Sequence, residues 1–182
     1  MASSVNDADD APSASSLDHG DVLVGNLQRL RSNDSFNDVQ FSLRDGKVYA
    51  NSVILSMGSD YFATMISNDK FIEGHTKDIP MKEYGTKKAM ESIVEYIYSG
   101  KMNLVNQGLE TLLEILNIAE MMLMKTNKLS SSIERCIKEI VPLVHFGSLV
   151  RGLMLVDRYG LENIRKSFVN ELYLLLLMKI KI

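Results

Sequence analysis

The stretch from Asn37 to Phe71, NDVQFSLRDGKVYANSVILSMGSDYFATMISNDKF, constrains the fold more than any other part of the chain. Val39, Phe41 and Leu43 alternate with Gln40 and Ser42, the period of a half-buried strand. Arg44-Asp45-Gly46-Lys47 reads as a tight turn, with Asp-Gly as the hairpin signal, and Val48 and Ala50 carry the return strand. Asn51 or Ser52 then caps a helix whose apolar face is expected to hold Val53, Ile54 and Met57. Ser59 caps a second helix from Asp60, with Tyr61, Phe62, Met65 and Ile66 inward. A lone hairpin cannot bury its apolar face, so these helices must cover it.

The remaining chain is mostly helical. Leu23, Leu27 and Leu30 share one stripe of a helix from Asp21 to Arg31, begun by Asp18 or Asp21. Thr76 to Met81 suggests a short strand with Ile79 inward, and Pro80 places it at an edge or a strand end. Tyr84-Gly85 reads as a turn. Thr86 caps a helix with Met90, Ile93, Val94, Ile97 and Tyr98 on its buried face, ended by Gly100. Met102 to Val105 suggests another short strand. Leu109, Leu112, Leu113, Leu116 and Ala119 define the next helix, and Lys125 to Ser132 a polar break. Ser130 or Ser131 is expected to cap a helix with Ile133, Cys136, Ile137, Ile140 and Val141 in one stripe. Pro142 interrupts the chain. Two more helices follow, His145 to Tyr159 and the segment lined by Leu161, Ile164, Phe168, Val169 and Leu172, with Gly160 between them as a C-cap.

Composition narrows the function. At 182 residues and 46% hydrophobic content the chain can form one domain with an appendage. A net charge of -3 gives no reason to expect nucleic acid or a membrane as partner. The single Cys136 excludes an internal disulfide and a cysteine-based zinc cluster, and it suits the reducing cytoplasm or nucleus. No signal peptide is expected, since the N-terminus lacks a basic start and an apolar run. Residues 1–18, rich in Ser, Ala and Asp, read as a disordered tail. No glycine-rich phosphate loop, nucleophile elbow or paired metal-ligand motif appears, so neither enzyme nor cofactor is expected.

Asp38-Val39, Ala50-x-x-Val53-x-Leu55, Ser59-Asp60-Tyr61-Phe62-x-x-Met65 and, independently, Tyr96-Ile97-Tyr98-Ser99-Gly100 resemble the BTB/POZ domain in order and spacing. The similarity runs from about Val22 to Val141. Asp157-Arg158-Tyr159-Gly160-Leu161-Glu162-Asn163-Ile164-Arg165 resembles the start of the BACK region that follows BTB in Kelch-type adaptors. The resemblance implies an α+β fold, a small mixed sheet capped by helical hairpins and followed by an α-helical pair. It divides the chain into a tail (1–18), a BTB/POZ domain (19–141) and a truncated BACK-like region (142–182). Two departures stand out: Asn51 where histidine is common, and Ile66 where phenylalanine is common.

In such proteins an N-terminal helix packs across a two-fold interface. The resemblance therefore implies a homodimer, with Leu23, Leu27, Leu30 and Asp38 at its contacts. BTB adaptors for cullin-3 often carry an apolar residue, any residue, then Glu in the loop after the second helix of the hairpin, and Phe71-Ile72-Glu73 fits that pattern. There Phe71 would fill a partner pocket and Glu73 would fix orientation, with the helices from Leu109 to Val141 supplying the rest of the surface. The expected function is adaptor for a cullin-3 ubiquitin ligase, with a substrate the sequence does not name. The alternative is a dimerisation module for transcription or scaffolding. Leu172 to Met178 is an apolar run too short for a membrane helix. Without further BACK helices or Kelch repeats, the chain reads as a truncated or short-form adaptor, and the apolar run favours self-association.

Overall fold

A computed structural model describes residues 19–67, 77–125 and 127–180. The expected tail, residues 1–18, lies outside the described residues. Helix α1 (Gly20–Arg31) precedes strands β1 (Val39–Leu43) and β2 (Gly46–Ala50). A helical hairpin follows, α2 (Ser52–Gly58) and α3 (Asp60–Ser67), then strand β3 (Asp78–Pro80). Helices α4 (Lys87–Ser99), α5 (Leu109–Met121) and α6 (Asn127–Ile140) complete the first part. The helical pair is α7 (Phe146–Tyr159) and α8 (Glu162–Ile180).

The sheet has the order β2-β1-β3, with β1 antiparallel to β2 and parallel to β3. The alternation in β1 sends Val39, Phe41 and Leu43 into the core. There Phe41 meets Phe62 of α3 edge-on, with ring centroids 5.5 Å apart. Ile79 of β3 is buried while Pro80 ends that edge strand, as the sequence predicts. Met102 to Val105 forms no strand. Helix α5 is the centre of the molecule: every residue from Leu112 to Ala119 is buried, as α4, α6 and α7 pack around it.

Local signals set most helix ends. The Asn51 side chain accepts from the N–H groups of Val53 and Ile54, and the Thr86 hydroxyl accepts from Ala89 N–H. Gly100 and Gly160 close α4 and α7 in the left-handed region, at φ 67° and 68°. The Ser59 hydroxyl accepts from Phe62 N–H to start α3 and donates to the Met122 carbonyl. It thereby pins the α2–α3 hairpin to the end of α5. Two backbone bonds reinforce the pin, Asp60 N–H to Leu123 O and Lys125 N–H to Gly58 O.

Three further expectations are corrected. The inward residues of α2 are Ser52 and Leu55, whereas Val53 and Met57 face solvent. A two-turn helix has too few residues for periodicity to fix its face, and here the side chain just ahead of β1 fixes it. Asp38 accepts from Ser52 N–H and Ser52 Oγ, each at 2.7 Å, which turns Ser52 and Leu55 toward the core. Second, α6 begins at Asn127, ahead of Ser130 and Ser131. Buried Leu129 extends the Ile133–Ile137 stripe upstream, and the Ser131 hydroxyl donates to the Lys128 carbonyl inside the helix. Third, α1 starts at Gly20, one residue ahead of the expected Asp21, with His19 at its N-cap and no side-chain cap, while Asp18 lies outside the described residues.

The α7–α8 pair docks through a close approach at Gly152. A β-carbon there would sit 2.5 Å from Phe168 Cε1 and 3.3 Å from Leu109 Cδ2. Phe168 is fully buried, so its ring has no room to yield. Gly152→Ala is expected to lower the stability of the chain by about 1–3 kcal/mol through overpacking, read as a lower urea midpoint. An unchanged midpoint would show that the pair can slide apart without cost.

Asp38 generates a second prediction. Burial raises its carboxyl pKa, but the hydrogen bonds from Lys77 and Ser52 outweigh burial, and the net shift is below the ordinary value of 3.8. A carboxylate held below its unfolded pKa stabilises the fold above that value and loses the contribution as pH falls through the folded value. The stability difference between wild type and Asp38→Asn is therefore expected to be constant near neutrality and to shrink below about pH 4. Urea midpoints measured across that range check it, and a difference that does not change would overturn the assignment.

Candidate protein-interaction site

Helix α1 lies on α4 and buries none of its residues completely. Leu27 and Leu30 are half-buried against the core, while Leu23 is 60% exposed and Val22 beside it 58%. The expected stripe thus divides: two leucines hold α1 to its own domain and one is offered outward. The polar attachment is Glu95 of α4, which accepts from Gln28 Nε2 at 3.2 Å and from Arg31 Nη1. Asp38 is engaged within its own chain by Ser52 and by the Lys77 ammonium.

Helix α2 also leans on α4, and its outward residues are Val53 and Met57, 62% and 67% exposed. Val22, Leu23, Val53 and Met57 together give α1 and α2 an apolar exterior. The sequence pattern offers Leu23 as a contact but places Val53 and Met57 inward. The signal that could have placed them was Asp38 fourteen residues before Ser52, a carboxylate able to reach the start of the helix.

A cleft of about 520 Å³ opens between α3, α5, α6 and α8. Asp60, Glu120 and Glu134 give it a negative lining, and Leu123 and Met124 an apolar floor. Burial first, and the Glu134 carboxylate second, raise the Glu120 carboxyl above its ordinary value. Leu123 is exposed and held at φ 47°, a conformation unusual for a branched side chain. The Ser59 pin described above holds it there. Phe71, Ile72 and Glu73, expected beside this surface, lie outside the described residues.

Beyond Phe168 the apolar run continues as helix, with Leu172 and Leu175 against the core and Tyr173, Leu174, Leu176, Leu177 and Met178 exposed. Cys136 is half-buried, and burial followed by the nearby Glu139 pushes its thiol pKa up, the opposite of an activated nucleophile. Among the described residues no group of His, Cys, Asp and Glu could hold a metal ion, and no helix is long and apolar enough to cross a membrane. The arrangement is one of exposed apolar helix faces and a charged cleft, the chemistry of protein contact.

Comparison with known proteins agrees. The chain is 25% identical over 150 residues to human Kelch-like protein 5, covering 82% of this chain and 18% of that protein. It is 23% identical over 146 residues to human Kelch-like protein 6, covering 80% and 22%. It is 20% identical over 156 residues to the Kelch repeat and BTB domain-containing protein 1 of cowpox virus (strain GRI-90 / Grishak), covering 86% and 26%. The chain therefore spans about a fifth to a quarter of the length of these curated relatives. The α7–α8 pair is consistent with the BACK-like region expected after the first domain. Residues 27–138, from α1 through most of α6, match the BTB/POZ domain, and the chain belongs to that family of protein-interaction modules.

Proposed function

We propose that this chain is a homodimeric adaptor module that docks on cullin-3 and acts in the cytoplasm or nucleus. The observation that carries the dimer is the apolar exterior of α1 and α2. Large side chains exposed on two helices that both rest on α4 gain about 25 cal/mol for every Å² of apolar surface they bury, and a two-fold axis lets one surface serve both copies. Val22, Leu23, Val53 and Met57 are the contacts. Leu27 and Leu30 support them from behind.

The cullin reading rests on the resemblance of Phe71-Ile72-Glu73 to the adaptor pattern and on where these residues fall in the chain, between α3 and β3. The cleft built from α3, α5 and α6 supports it, since Leu123 and Met124 offer apolar contact within a rim of Asp60, Glu120 and Glu134. A BACK-like pair directly after the BTB domain favours an adaptor over a transcriptional or scaffolding dimer.

Calorimetric titration with the N-terminal domain of cullin-3 tests this. Phe71→Ala is expected to weaken binding by about thirtyfold or more, as loss of a hot-spot aromatic does, with dimer mass unchanged. No binding by well-folded wild type would move the module to the scaffolding or transcriptional reading. For the dimer, Leu23→Asp is expected to halve the sedimentation mass while the far-UV circular dichroism of the folded chain stays unchanged, because Leu23 is exposed within its own chain. A variant that keeps the wild-type mass would remove Leu23 from the interface.

A further inference from the structure

We propose that Glu95 is a positioning residue for homodimer formation: by docking α1 on α4 it sets the presentation of Val22 and Leu23. The inference rests on the homodimer reading above. Three observations carry it. Helix α1 has no completely buried residue and no side-chain N-cap, so apart from the turn after it, where Asn37 Nδ2 donates to the Arg31 carbonyl at 3.4 Å, its contact with α4 holds it. Its apolar anchors, Leu27 and Leu30, are only half-buried. Both carboxylate oxygens of Glu95 are used on α1: Oε1 accepts from Gln28 Nε2 and Oε2 from Arg31 Nη1. Gln28 and Arg31 are three residues apart, one turn of helix, so a single carboxylate grips one edge of α1 at two points. Two grips fix the rotation of a helix about its axis, which one grip would not. That rotation decides which way Leu23 points.

Glu95 itself lies outside the proposed interface, and its side chain is 42% exposed in the pair with Arg31. Two open clefts share it as a wall, one reaching Lys88 and Lys101, the other Met102 and Val105. Water reaches the grip from both sides, so the docking of α1 is marginal and open to change by a single substitution. When a binding-competent conformation is only partly populated, apparent affinity falls with that fraction. A two-fold dimer needs α1 docked in both copies, so the loss is squared. If Lys at position 95, facing Arg31, lowers the docked population threefold to tenfold in each copy, the dissociation constant rises about tenfold to a hundredfold.

The experiment compares the full chain with Glu95→Lys and with the swapped pair Glu95→Lys, Arg31→Glu. Sedimentation equilibrium reads the dimer constant. Hydrogen exchange at concentrations below that constant reads the protection of residues 20–31 in the monomer, with β1 and α5 amides as internal reference. The expected result is that Glu95→Lys loses protection in residues 20–31 alone and dimerises at least tenfold more weakly, and that the swapped pair restores both. Gln28 aids the rescue, because its amide can turn to accept from the lysine. Wild-type dimerisation by Glu95→Lys overturns the proposal, as does weaker dimerisation with α1 still protected. A wild type that stays monomeric at every concentration overturns the homodimer reading and this proposal with it. A dimeric wild type with an unaffected variant overturns this proposal alone.

Discussion

The fold depends on three successive residues, Tyr84, Gly85 and Thr86, being seated on one face of α5. Asn117 Nδ2 donates to the Tyr84 carbonyl at 2.8 Å. Glu114 Oε2 accepts from Thr86 N–H at 3.1 Å and from the Thr86 hydroxyl. Between them Gly85 lies so close to α5 that a β-carbon would be 2.9 Å from Ile118 Cδ1 and 3.4 Å from Glu114 Cβ. Helix α4 starts here, with Lys87 and Lys88 in a first turn that has no acidic residue of its own. Negative charge at that N-terminus comes from elsewhere: Glu114 from α5, and Asp45 of the hairpin turn, which accepts from Lys87 N–H at 2.6 Å. Arg44 completes the arrangement as the partner of Glu114. A buried carboxylate is costly unless paired and hydrogen-bonded, and Glu114 is both. Hairpin, α4 and α5 are thus locked at one point.

That point matters because α4 is the platform for the surfaces. Helices α1 and α2 both rest on it. Its inner face packs Met90, Ile93, Val94 and Tyr98 into the core, and the Tyr98 hydroxyl accepts from Asn51 N–H at the mouth of α2. Asn51 stands where histidine is common in the family, and it keeps the cap while its amide donates to the Phe36 carbonyl at 2.7 Å. A shift of α4 would move α1 and α2 together, and with them the whole apolar exterior.

Much of this was legible in the sequence. The alternation in β1, the Asp-Gly turn, the caps at Asn51, Ser59 and Thr86, and the glycine stops at Gly100 and Gly160 are local signals, and the structure uses each of them locally. The seat on α5 was harder to see, because Glu114 lies 28 residues from Thr86 and Asn117 33 from Tyr84. The available signal was two polar residues, three apart, inside the otherwise apolar run from Leu112 to Ala119. The face of α2 misled for a related reason. Val53, Ile54 and Met57 have good helical spacing, yet Asp38 turns the helix so that Ser52 and Leu55 go inward. In α1 the periodicity was right, but it could not say which leucines of the stripe serve the chain's own core.

The candidate surfaces share a physical logic. The core residues that fix the fold, such as Phe41, Phe62, Leu113 and Phe168, are apolar and act through packing, which is insensitive to direction. Helices α1 and α2 and the turn at Leu123 are short or poorly buried, and packing alone would leave their orientation loosely set. Each is therefore held by polar groups of defined geometry: α2 by Asp38 and Asn51, α1 by Glu95, and the Leu123 turn by Ser59 and the backbone of Gly58 and Asp60. Hydrogen bonds are directional where the hydrophobic effect is not, so they aim apolar side chains away from the core that those side chains would otherwise join. A BTB module needs both: a core that folds by burial, and a few polar pins that keep selected apolar residues out of it and available to a partner.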